Sequence, residues 1–145
     1  MDKTILKKAC SYCVYQERTH AEVRKRLSEW KVFGDEAEEI ISWLIIENFL
    51  NEERFAKAFA GGKFRLKNWG KRKITFELKG RKISAYCIKE ALNEIKDDEY
   101  ESTIIKLIKK KEKEYGKEKT THQKIYNYLI GKGSEPENFV KHLSF

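Results

Sequence analysis

The chain has 145 residues, of which 37% are charged, and 31 Lys and Arg against 23 Asp and Glu leave a net charge of +8. It holds one proline and strong helix formers throughout, which favours an all-α fold of one domain or of small units that support each other. It has no apolar run of about 18 residues to span a membrane, and MDKTILKKAC has neither the apolar core nor the cleavage site of a secretion signal. Three cysteines, an odd number, suit a reducing cytoplasm better than a disulfide framework.

Ile5, Leu6, Ala9, Cys10, Cys13 and Val14 recur at three- and four-residue steps, so 3–17 reads as an amphipathic helix. Thr19 with Glu22 forms a capping-box pattern, and a second helix runs from about 20 to 30. Gly34 and Asp35 stop and restart the chain, with Asp35 as N-cap and acids in the first turn, where the helix dipole favours them. The third helix buries Ala37, Ile40, Ile41 and Leu44, and from Asp35 to Glu53 there are seven acids and no base.

Asn51 caps the next helix, whose inner face is Phe55, Ala56, Phe59 and Phe64; Gly61-Gly62 inside it predicts a kink or an early end. Asn68-Trp69-Gly70 makes a turn, 70–80 is a basic helix, and Ser84 caps the helix carrying Ile88, Ala91, Leu92 and Ile95. Asp97-Asp98 opens a helix with Ile104, Ile105, Leu107 and Ile108 that runs out through KKKEKEYGKEK. Thr120 or Thr121 caps the helix of Ile125, Tyr126, Tyr128 and Leu129, which Gly131 and Gly133 end. Ser134-Glu135-Pro136-Glu137 starts the last helix, with proline tolerated in the first turn.

These helices repeat. A shift of 51 residues aligns Val23, Ile74 and Ile125; Leu27, Leu78 and Leu129; Ala37, Ile88 and Phe139; and Ile41, Leu92 and Leu143. Trp30, Arg81 and Lys132 also align but are not apolar and carry no weight here. A period of this size marks a helical repeat, and the expected architecture is three tandem three-helix repeats, 1–50, 51–96 and 97–145, in an elongated, curved solenoid.

The apolar columns explain architecture, so function lies outside them. Cys10 and Cys13 have CxxC spacing, but they fall on the apolar stripe, and Cys87 stands alone. His20 and His122 align beside the caps, and His142 is isolated. No nucleophile–base pair, phosphate loop, paired carboxylates or metal-ligand set stands out, so no catalytic site, metal or cofactor is expected. The stretch Lys63 to Lys82 is different: it holds nine bases and one acid, Glu77, and its charge of +8 equals that of the whole chain. Arg65, Lys67, Trp69, Lys71, Arg72, Lys73, Lys79, Arg81 and Lys82 are the candidate contacts for an acidic partner, with cations along a phosphate backbone and Trp69 stacking on a base or anchoring a protein. The competing reading is a solvated lysine face with a core tryptophan.

Phe49-Leu50-Asn51-Glu52-Glu53-Arg54-Phe55-Ala56 resembles the signature of RecX, the bacterial regulator of the RecA recombinase. Arg18-Thr19-His20-Ala21-Glu22-Val23 with Arg26-Leu27 resembles its upstream segment, and Trp69-Gly70-Lys71-Arg72-Lys73-Ile74 with Glu77-Leu78 and Ile83-Ser84 its downstream one. The resemblance covers about residues 6–96 well. Lys71 stands where many members have proline, and Lys82 where the family usually has glycine.

The resemblance implies a monomeric, cytoplasmic, three-repeat helical modulator. Such a protein binds the RecA–DNA filament along its groove and mainly suppresses recombinase, ATPase and coprotease activity in DNA repair and the SOS response. The basic helix would face acidic filament surface or DNA, and Arg54 with Glu53 would join repeats one and two. The alternative is a direct helical DNA-binding module with no dedicated protein partner.

Overall fold

The structure, a computed structural model, describes residues 1–116, 118 and 120–143. They form an all-α repeat solenoid of three helix triplets: α1 (Lys3–Tyr15), α2 (His20–Glu29) and α3 (Gly34–Ile46); α4 (Glu52–Lys67), α5 (Lys71–Gly80) and α6 (Ala85–Asn93); α7 (Asp97–Tyr115), α8 (Thr121–Gly131) and α9 (Pro136–Phe139), the last continued by a 3-10 turn Val140–His142. Caps set several of these starts. Asp2 accepts from the amides of Thr4 and Ile5, Thr19 and Glu22 close a capping box, Asn51 accepts from Arg54, and Ser84 from Cys87.

The repeat is written in backbone geometry as well as in apolar columns. Val23, Ile74 and Ile125 are at most 1% exposed, and Leu27, Leu78 and Leu129 are fully buried. The aligned residues Trp30, Arg81 and Lys132 are the C-caps of α2, α5 and α8. The next residue is left-handed each time: Lys31 at φ 65°, Lys82 at 60° and Gly133 at 87°. Then Val32, Ile83 and Ser134 each return an amide to the carbonyl five residues back, on Leu27, Leu78 and Leu129. That pair of features is a Schellman ending, which satisfies carbonyls the helix leaves over.

The described residues close two apolar cores rather than three. Ala9, Val23, Leu27, Ile40, Leu44 and Leu50 belong to one, built within the first triplet. Phe55, Phe64, Ile74, Leu78, Ile104 and Phe139 belong to another that runs through the second and third triplets without a break. Polar contacts bridge the two. Arg54 on α4 donates through Nε to Glu17 at 2.7 Å and through Nη2 to the carbonyls of Asn48 and Phe49 at 3.1 and 3.3 Å. His20 Nδ1 lies 3.7 Å from Glu52. Glu53, expected to share the joining role, pairs instead with Lys57 one turn on in its own helix.

Several expectations need correction. Asp35 does not cap α3: the helix starts at Gly34 with Phe33 as N-cap, because Gly34 takes φ 57° and brings the chain into the helix earlier, leaving Asp35 in the first turn. Gly61-Gly62 does not end α4 early: the helix runs unbroken for 16 residues. Its buried face of Phe55, Ala56, Ala60 and Phe64, with α6 packed along the helix, outweighs the glycine penalty of about 1 kcal/mol each. Val14 is 71% exposed and lies off the apolar stripe of α1, and Leu92 is half-buried. α7 stops at Tyr115, where Gly116 turns at φ 76°, short of the expected run; Lys117 and Lys119 of that run lie outside the described residues. Neither Thr120 nor Thr121 caps α8 through its side chain; the Thr121 hydroxyl donates to the Gly116 carbonyl and accepts from the Glu118 amide, closing the preceding turn.

Candidate functional site

The basic helix α5 is seated by its backbone. Its first amides all point into the third triplet: Gly70 donates to the Lys132 carbonyl at 2.6 Å, Lys71 to the Tyr100 hydroxyl at 2.8 Å, and Arg72 to the Gly133 carbonyl at 2.9 Å. The Tyr100 hydroxyl in turn donates a hydrogen bond to the Glu135 carboxylate at 2.5 Å. Such an approach needs glycine on both sides. A Cβ on Gly70 would strike the Gly133 and Ser134 backbone, and one on Gly133 would strike Lys73. Burial first, then the Glu135 carboxylate, hold the Tyr100 hydroxyl protonated well above the usual tyrosine range. With these amides taken, the N-terminus of α5 is not an open anion site, and what α5 offers a partner is its side chains.

Ile74 and Leu78 turn inward and are fully buried. The opposite ridge, at steps of four and three, is Arg72, Phe76 and Lys79, all exposed, with Phe76 at 75%. Arg72, Lys79, Lys82 and Lys67 are exposed, and none has an ion-pair partner among the described residues. Lys73 Nζ stands 4.6 Å from the Trp69 ring centre and Lys63 Nζ 5.0 Å, bracketing the indole with two ammonium groups. Trp69 is half-buried, meets Phe59 edge-on at 6.1 Å and packs against the core, so the core reading of this residue holds for part of its surface.

Other candidates are partly committed within the molecule. Arg81 bonds Glu77 at 2.8 Å and lies 4.6 Å from the Phe59 ring centre. Arg65 pairs with Glu99 at 3.6 Å. Lys71 reaches toward Asp97 at 3.9 Å and over the Tyr100 ring at 4.9 Å, so its side chain serves the junction with the third triplet. The nine residues thus separate into an outward cationic ridge, a lysine–tryptophan cluster beside it, and a buttress. Lys63 belongs with the cluster and Phe76 with the ridge, although neither was among the candidates. Lys63 follows Phe59 by four residues within α4, a spacing that stacks cation on ring and was there to be read.

Elsewhere, Cys10 and Cys13 behave as core residues. Burial, reinforced by Cys10, pushes the Cys13 thiol up to about 11. No group of His, Cys, Asp and Glu that could hold a metal occurs among the described residues, and no described helix is long and apolar enough to cross a membrane.

Fold and surface together define an all-α repeat module with one cationic helix braced by its neighbour and turned outward. Residues 51–92 match the model of the second three-helix domain of RecX. The chain is 33% identical over 130 residues to regulatory protein RecX of Lactococcus lactis subsp. lactis (strain IL1403), covering 86% of this chain and 48% of that protein. It is 30% identical over 138 residues to regulatory protein RecX of Lactobacillus gasseri, covering 94% and 51%. Its fold superposes on a crystal structure of RecX from Lactobacillus salivarius with a TM-score of 0.87 at 22% identity, covering 97% of this chain and 92% of that one. A second solved regulatory protein RecX gives 0.80 at 23% identity, covering 93% and 70%. The chain belongs to the RecX family. It spans about half the length of the sequence relatives it matches.

Proposed function

We propose that this protein binds the RecA–DNA filament in the cytoplasm and modulates it, mainly lowering recombinase, ATPase and coprotease activity in DNA repair and the SOS response. The observation that carries the reading is the ridge of Arg72, Phe76 and Lys79. It is exposed, its cations have no ion-pair partner among the described residues, and its helix is pinned by three amide hydrogen bonds to the third triplet. A pre-positioned cationic row loses little freedom on meeting a polyanion, and each phosphate it neutralises releases a counterion. Phe76 adds an apolar contact that a bare phosphate row does not need and a protein surface does. The acidic first turns of α3, with Asp35 and Glu36, would turn away from DNA.

The test is RecA ATP hydrolysis on single-stranded DNA, titrated with the protein near physiological salt, beside binding to the same DNA alone. Inhibition is expected well below the concentration that coats bare DNA. Arg72→Glu/Lys79→Glu is expected to keep the helical circular dichroism and to raise the inhibitory concentration more than about tenfold, as reversal of exposed interface charges does. Tight binding to bare DNA with no inhibition would sink the filament reading and leave the DNA-binding module.

A further inference from the structure

The second triplet does not hold the only cationic face. Helices α1 and α2 enclose an open groove of about 570 Å³ whose lining includes Lys8, Arg18, Arg26, Tyr12, Tyr15 and Trp30, and no acid. Lys7 lies at the same groove. The Arg18 guanidinium sits 3.7 Å from the Tyr12 ring centre and Arg26 4.8 Å from it, while Lys8 Nζ is 5.6 Å from Trp30. Arg18 is held there by a bond from Nε to the Tyr12 carbonyl at 3.0 Å and lies 4.0 Å from Glu22, and Arg26 bonds Glu29 at 3.3 Å, so the cations left for a ligand are the lysines. Tyr15, one turn beyond Tyr12, is 82% exposed with Arg18 5.9 Å from its ring centre. Lys7 and Lys8 are exposed and have no acidic partner among the described residues.

Interleaved cations and aromatic rings along an open groove match the chemistry of a strand whose bases are unpaired. Phosphates meet ammonium and guanidinium groups, and a base covers a ring, with each stacked base contributing about 1–3 kcal/mol whatever its identity. A duplex would satisfy the cations only, because its bases are stacked on each other and offer no free face to Tyr15. An acidic peptide would also satisfy the cations and leave the ring bare. The geometry points to a single-stranded nucleic acid seated in the α1–α2 groove, with a base on Tyr15 and the backbone along Lys7 and Lys8. This site is built from residues of the first triplet, and does not rest on the filament reading.

The test uses the full chain without RecA. A short fluorescein-labelled oligothymidylate and a hairpin duplex of equal phosphate count are titrated by fluorescence anisotropy at fixed salt. Tyr15→Ala is expected to weaken the single strand by roughly fivefold to a hundredfold and to leave the duplex unchanged, while Tyr15→Phe keeps the parent affinity. Lys7→Glu/Lys8→Glu is expected to weaken both and to flatten the salt dependence. Circular dichroism checks folding, which is not at risk at so exposed a position. The proposal is overturned if the parent does not bind the strand, or if Tyr15→Ala binds it as tightly as the parent. It is also overturned if the variant weakens strand, duplex and polyglutamate alike, which would make the groove a general polyanion seat.

Discussion

Three glycine-to-alanine substitutions separate the two reasons a glycine is required here. Gly34 has φ 57° and open space where a Cβ would go, so Gly34→Ala tests backbone conformation alone. Gly70 has an ordinary φ of −80° but abuts the Gly133 and Ser134 backbone, so Gly70→Ala tests close approach alone. Gly133 combines φ 87° with contact to Lys73. Left-handed backbone costs an L-residue about 1–2 kcal/mol, and a stiffer unfolded chain returns about 0.4–1 kcal/mol. Gly34→Ala should therefore cost about 1 kcal/mol.

Pushing the two backbones apart breaks the bonds from Gly70 to Lys132 and from Arg72 to Gly133. At about 1 kcal/mol each, Gly70→Ala should cost about 2 kcal/mol. Gly133→Ala should then cost about 3 kcal/mol, a sizeable share of a typical folding free energy. The double variant Gly70→Ala/Gly133→Ala should cost less than the sum of the singles, because the second substitution finds the contact already broken. Urea unfolding followed by circular dichroism measures all four. If Gly133→Ala costs no more than Gly34→Ala, the backbone contact is not what seats α5, and the account of a braced basic helix is wrong.

Lys82 sits at φ 60° in the Schellman turn after α5, so Lys82→Gly should raise the unfolding free energy in urea by about 0.5–1 kcal/mol while removing one exposed cation. Arg54→Ala should cost about 1–2 kcal/mol by removing its bonds to Glu17 and the Asn48 and Phe49 carbonyls, and a cycle with Glu17→Ala should show coupling; full additivity would deny the bridge. Cys13 is raised from 9.0 to about 11 by burial, so its contribution is complete below pH 9 and is lost as pH rises from there to about 11. A pH series of urea midpoints should decline over that window for the parent and decline less for Cys13→Ala.

Much of the fold was legible because it repeats. A buried residue recurring every 51 positions, as in Leu27, Leu78 and Leu129, is visible in a string of letters. The same shift also aligned Trp30, Arg81 and Lys132, which looked unrelated because their shared property is a place at a helix end rather than a chemistry. Lysine at two of the three left-handed positions hid the turn further, since sequence reading looks for glycine there. The unbroken run of α4 through Gly61-Gly62 was not legible either, because local propensity favours a break and the packing of α6 decides against it.

For the candidate site, the stretch was legible and the division of labour within it was not. Nothing in the letters separates Lys71, drawn to Asp97 and Tyr100, from Arg72 beside it, because residues of the third triplet, distant in sequence, make the difference. Tyr100 lies 29 positions from Lys71, and Glu135 lies 35 from Tyr100. The α1–α2 groove was missed because its rings and cations come from two helices, the link between them and a helix end, and alternate with residues of the core stripe.

The division into two cores bears on how the molecule lets go. One core closes within residues 9–50 and the other within 55–143, and polar contacts centred on Arg54 bridge them. Each can open without the other, as in proteins whose parts exchange amide hydrogens at different free energies. A ligand long enough to touch both is then held by two grips on one tether. When one end loosens, the other keeps it close by, and recapture competes with escape. Residence time would then outlast what either end achieves alone, and any agent that frays the first triplet would shorten it without touching the braced cationic ridge.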